Sequence, residues 1–185
     1  MKTIIMLTIL LFTLTLLAEP SETKEPQNAI SIDVFLPVGA VASAISGDDN
    51  FIPLNIKYQR VLIDHLVLML KAGFNYNFKP KSKGIDIYPM AELDWHPFQK
   101  GLRGFYTGLS IFYGFGNYFD SPEGETRIAL GPSLGWQFIV RRHLIIDLTL
   151  GLGFGYYNRT DWEGKREKGF SADETIAGIF LGWGF

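Results

Sequence analysis

The sequence predicts an all-β fold, an eight-stranded antiparallel up-and-down transmembrane β-barrel, on three observations. Apolar residues alternate with small or polar ones in eight successive segments between 29 and 185, and no helical period is convincing anywhere. Aromatic residues on the apolar faces gather near segment ends. The opposite faces are rich in glycine, of which the chain has 20. The closing segment, 175–185, shows the pattern best: Ala177, Ile179, Leu181, Trp183 and Phe185 share one face, and Ile176, Gly178, Phe180, Gly182 and Gly184 share the other. About eleven residues tilted about 45° rise roughly 25 Å, the height of the apolar band on such a barrel.

The other elements follow in chain order. Segment 29–38 sets Ile30, Ile32, Val34 and Leu36 against Ser31, Asp33 and Phe35, and 51–60 sets Ile52, Leu54, Ile56 and Tyr58 against Asn55, Lys57 and Gln59. In 66–78, Leu68, Leu70, Phe74 and Tyr76 oppose Met69, Lys71, Gly73 and Asn75; in 85–96, Ile87, Leu93 and Trp95 oppose Asp86, Tyr88, Glu92, Asp94 and His96. Segment 105–116 sets Leu109, Ile111, Tyr113 and Phe115 against Tyr106, Gly108, Ser110 and Phe112, and 127–138 sets Ile128, Leu130, Leu134 and Trp136 against Arg127, Ser133, Gly135 and Gln137. Segment 143–157 is the most regular, with Leu144, Ile146, Leu148, Leu150, Leu152, Phe154 and Tyr156 on one face. The connections read as alternately long and short, and 158–173 reads as the longest loop. Pro37, Pro53, Pro89 and Pro132 each remove a ladder donor, and a bulge or a water is expected at Pro132.

Composition sets the class. A net charge of −2 from 17 basic and 19 acidic residues contains no basic stripe, so nucleic acid is not an expected partner. With no cysteine there is no disulfide framework, thiolate metal site or lipidated amino-terminal cysteine. Lys2, the apolar run 4–17 and Ala18 read as a cleaved secretory signal peptide, 1–18, followed by a flexible leader, 19–28, with Pro20 and Pro26. The barrel takes 29–185.

A soluble lipocalin-type barrel would alternate as well, with its apolar face turned inward. The rings argue otherwise. If the chain starts on the inner side, Tyr58, Trp95, Phe105, Trp136, Trp183 and Phe185 all fall at inner strand ends, and Phe74, Tyr76, Tyr113, Phe115, Phe154 and Tyr156 at outer ends. Those are two aromatic girdles around an aliphatic middle. A soluble core has no reason to sort rings by height, and glycine fits a crowded barrel interior better than a solvated strand face.

On strand count, girdles and the terminal Phe185 with Trp183 two before it, residues 29–185 resemble the small eight-stranded outer-membrane β-barrel proteins, the group of OmpX, OmpW and the membrane domain of OmpA. Where that family often has a glycine five residues before the end, this chain has Phe180. The resemblance implies the cell outer membrane as location, outer-membrane lipids as surroundings, insertion by the barrel-assembly machinery, and a monomer.

Parity turns Asp33, Lys57, Lys71, Glu92, Asp94 and Asp147 into the lumen, with Lys57 and Lys71 near acids of the first and fourth strands. The expected role of this polar network is a salt-bridged plug rather than an ion pathway. No charge faces lipid, where each would cost about 2–4 kcal/mol at mid-depth. Phe35, Tyr88, Tyr106 and Phe112 could line a lumen ligand. In the loop 158–173, Arg159, Trp162, Lys165 and Arg166 are the candidates for contact with an extracellular ligand.

No cofactor or metal is expected. His65, His96 and His143 fall at inner strand ends, the wrong side for an enzyme that modifies outer-leaflet lipid, so the chain is not expected to be an enzyme. The expected function is a plugged barrel acting as a structural or surface-interaction protein through its outer loops. The alternative, implied by the OmpW likeness, is a narrow channel for small apolar molecules.

Overall fold

The computed structural model describes residues 25–34, 51–79, 82–119, 121–140 and 142–185. The signal segment 1–18, most of the leader, the far part of the first predicted strand with Phe35, and the turn at 46–50 lie outside the described residues.

Eight antiparallel strands close into one barrel in sequence order, β1 to β8. They are β1 (Asn28–Asp33), β2 (Phe51–Ile63), β3 (Leu66–Lys79), β4 (Ser82–Trp95), β5 (Gly104–Tyr118), β6 (Gly124–Val140), β7 (Leu144–Thr160) and β8 (Arg166–Gly184). Each strand pairs with its sequence neighbour, as hairpin connections dictate. β1 closes the ring by pairing with both β2 and β8: Ile30 stands opposite Tyr58 on one side and Trp183 on the other. The last part of the predicted leader helps to close it, because the amides of Gln27 and Asn28 both donate to the Phe185 carbonyl.

Connections 64–65 and 96–103, with residues 142–143, gather at the end that carries Asn28 and Phe185, hereafter the terminal end; residues 119 and 121–123 and the turn 161–165 lie at the opposite, hairpin end. The predicted alternation of long and short connections does not hold among the described residues. Segment 158–173 is not a loop. β7 and β8 run on through it, pairing Tyr157 with Gly169, Arg159 with Glu167 and Thr160 with Arg166. Its mixed charges mimic loop chemistry, but opposite charges facing each other across a ladder stabilise strands.

Side chains sort as the period-two pattern predicts. Ile32, Leu54, Leu109, Leu130, Leu150 and Leu181 stand exposed on the outside of the wall. Lys57, Gln59, Glu92, Asp94, Gln137 and Asp147 are buried within. Near the terminal end, Ala29, Val67, Ile139 and Ile145 meet Leu102, which folds in from the β4–β5 connection, in a small apolar cluster.

Pro132 stays in register with Leu109 of β5, but the ladder to β7 passes from Leu130–Phe154 to Ser133–Gly151 and resumes in the same register. A missing N–H therefore opens the ladder there without a bulge. A separate register shift lies between Gly153 and Gly155 of the β7–β8 ladder. Crowding at this point is severe: a Cβ on Gly131 would run into the Leu152 carbonyl oxygen. Gly131→Ala is thus expected to cost about 1–3 kcal/mol through forced backbone displacement, read as a lowered urea midpoint.

Candidate functional site

The lumen holds the candidate site, in three layers. Nearest the terminal end lie the apolar cluster and His96, which is fully buried against the Tyr106 ring at 5.3 Å between centroids. All three histidines sit at this end. Nδ1 of His65 lies 2.7 Å from the His96 carbonyl oxygen, that of His96 3.1 Å from Arg103 O, and that of His143 2.9 Å from Gly184 O. A carbonyl can only accept, so each Nδ1 carries the proton. On the rim of the same end, the Lys100 ammonium donates to Asp64 and holds that exposed carboxyl below its usual range.

The middle layer is polar. Lys57 pairs with Asp147, both almost wholly buried, and Asp147 also accepts from the Tyr106 hydroxyl at 2.9 Å and the Thr149 hydroxyl at 3.1 Å. The partner of Lys57 is therefore on β7, not on the first or fourth strand: closure folds the sheet so that side chains reach across the lumen as well as along it. Glu92 accepts from the Ser133 hydroxyl and shares a small space with Asp94. The space exists because residue 108 is glycine; a Cβ there would meet Asp94 Oδ1, Glu92 Oε1 and Ser133 Oγ. Gln137 donates to Gln59 at 2.8 Å, and Asn55 donates to Asp33 at 3.1 Å.

Lys71 stands apart from these pairs. Its ammonium lies over the Phe180 ring, 5.1 Å from the centroid, and Lys57 lies over the same ring at 4.1 Å. Phe180 is thus the hub of both lysines. In the sequence Phe180 reads as a departure from a family pattern, and the signal for its role is a lone ring among Gly178, Gly182 and Gly184 on the inward stripe.

Toward the hairpin end the lumen opens into a cavity of about 390 Å³. Tyr88 and Phe112, stacked at 5.7 Å, line it together with Asn55, Lys71, Asp86 and Arg127. Asp86 accepts from Asn77 at 2.9 Å, and Arg127 pairs with Glu125 at 2.5 Å. Of the predicted ligand-lining residues, Tyr88 and Phe112 are here, while Tyr106 belongs to the Lys57–Asp147 layer below; Phe35 lies outside the described residues. The walls are mixed: the charged and amide groups of Asn55, Lys71, Asp86 and Arg127 face the same space as the Tyr88 and Phe112 rings and Met90.

Of the residues predicted for outer-loop contact, Arg159 is already engaged. Its Nε and Nη2 reach Glu167 at 2.9 and 2.6 Å, and its guanidinium lies 5.5 Å from the Tyr157 ring centroid. Trp162 and Lys165 lie in the hairpin turn and Arg166 begins β8, all three exposed. The turn is tied by Asp161, whose carboxylate accepts from the amides of Glu163 and Lys165. No protein-family model matches the chain, and no curated protein matches it as a relative.

Proposed function

We propose that this chain is an integral outer-membrane β-barrel, stoppered by its own side chains, which acts as a structural or surface-contact protein through its hairpin end and catalyses nothing. The observation that carries the reading is the inversion of sides, with apolar residues outside and charge inside. A barrel made for water would show the reverse, and exposed apolar side chains stand on the outside of all eight strands, from Ile30 of β1 to Leu181 of β8, where soluble monomers rarely expose a contiguous apolar patch. Exposed rings lie toward both ends: Trp95, Trp136 and Trp183 at the terminal end, and Tyr113, Phe154, Tyr156 and Phe170 at the hairpin end. Such rings favour the two interfaces of a bilayer.

In this reading the hairpin end faces outward, lipid surrounds the wall, and the assembly machinery inserts a monomer. The apolar cluster and the Lys57 layer stop the lumen. The test is the mobility of the outer-membrane fraction on a gel in mild detergent, with and without boiling. A band that shifts on boiling is expected, and a soluble protein with no shift would overturn the membrane reading. In planar bilayers the barrel is expected to be silent. A steady single-channel current would overturn the stopper and leave the membrane reading standing.

A further inference from the structure

The cavity at the hairpin end has a shaped wall that stopping the lumen does not require. Lys71 of β3, Met90 of β4 and Phe112 of β5 stand side by side in one register row, all three facing the cavity. Tyr88, two residues before Met90, stacks on Phe112 with the ring planes only 18° apart. Both rings lean over glycines: a Cβ on Gly73 would stand 3.3 Å from Tyr88 Cδ2, and one on Gly114 would stand 3.1 Å from Phe112 Cε1. The rings therefore lie along the wall and leave the space in front of them open. That space, about 390 Å³, is within the size range of small-molecule sites.

Charge on this wall is unbalanced at one point. No carboxylate of a described residue lies within ion-pair distance of the Lys71 ammonium. The acids in electrostatic reach of it are Asp33, Glu92 and Asp147, and each is engaged by another group: Asp33 by Asn55, Glu92 by Ser133 and Asp147 by Lys57. Arg127, nearer the mouth, is paired with Glu125. An ammonium has three donors, and a carboxylate that accepts from it makes a charge-assisted bond, stronger than a neutral one. The mouth has the opposite character. Asp86 and Glu125, both in register with Gly116, line it and repel a second negative charge on an occupant.

We infer that the cavity is a binding site for a small ring-bearing monocarboxylate, with its carboxylate on Lys71 and its ring on Tyr88 and Phe112. A ring added to that stack gains an offset aromatic contact, and Met90 places a polarisable sulfur beside it. One wall thus offers a cation for one end of the ligand and an apolar face for the other, a division that neither a purely apolar molecule nor a simple inorganic anion would use in full. The site needs the closed barrel and not the bilayer, so it stands or falls separately from the membrane reading.

The test is isothermal titration calorimetry of the folded barrel in zwitterionic micelles, with the heats of empty micelles subtracted, using 3-phenylpropionate and its uncharged amide. The wild type is expected to bind the carboxylate about tenfold more tightly than the amide. Lys71→Met should bring the two affinities together, and Lys71→Arg should keep most of the preference. Phe112→Ala should weaken both ligands several-fold and keep their ratio. Each variant is checked first for the band that shifts on boiling. A wild type that proves soluble overturns the membrane reading and is titrated with the same pair in buffer. A folded wild type that binds neither ligand, a preference that survives Lys71→Met, or affinities unchanged in Phe112→Ala would overturn this proposal alone.

Discussion

Lys57→Ala is expected to destabilise the barrel by about 3–5 kcal/mol, the cost of leaving a buried charge without its partner. Asp147 has no exposed surface, and after the substitution only the Tyr106 and Thr149 hydroxyls would still serve it. The measurement is the urea midpoint of the folded barrel, supported by the temperature at which the gel band shifts. Lys57→Met combined with Asp147→Leu should recover most of the loss, because removing both partners leaves no unpaired charge, and the Tyr106 and Thr149 hydroxyls still have each other as partners. Lys71→Ala is the internal comparison. Its ammonium faces the Phe180 ring and makes no ion pair with a described residue, so its loss should cost about 1 kcal/mol. Equal losses for the two lysines would show that the ion pair is not what distinguishes them.

Leu150→Arg is expected to cost about 2–4 kcal/mol in a bilayer, as a cation facing lipid near mid-depth. Leu150 is half exposed and stands between Leu134 and Ala177 in the central outward row. Leu144→Arg, on the same face at the terminal end, should cost only about 0–1 kcal/mol, since the penalty fades toward the interface. In water neither position would resist arginine, because a half-exposed side chain can turn its charge to solvent. Equal tolerance at both positions in the folded, reconstituted protein would therefore place the barrel in water. A gradient with depth is the signature of lipid.

Much of this was legible from residue order. The number and order of the strands followed from eight alternating segments, and the inward side of Lys57, Glu92, Asp94 and Asp147 followed from parity alone. The predicted closing strand was right in its sidedness but too short at its start, because Arg166 to Phe170 carry charge and glycine of the kind that usually marks a turn. Nothing local distinguishes Arg159 in a loop from Arg159 opposite Glu167 on a strand. The ladder partner decides it, and the partner is known only once the register is set.

Facing is a property of the strand itself: the pleat alternates side chains whatever the neighbours are, so the sequence by itself determined which residues point in, which point out, and which strands adjoin. Meeting is a property of the closed barrel. Tilt and stagger shift each strand along its neighbour, so residues far apart in the chain reach one another across the lumen. That is how the tertiary structure alone brought Lys57 to Asp147 and set both lysines over Phe180. It also brought Leu102 inside, from a connection that no period-two pattern covers.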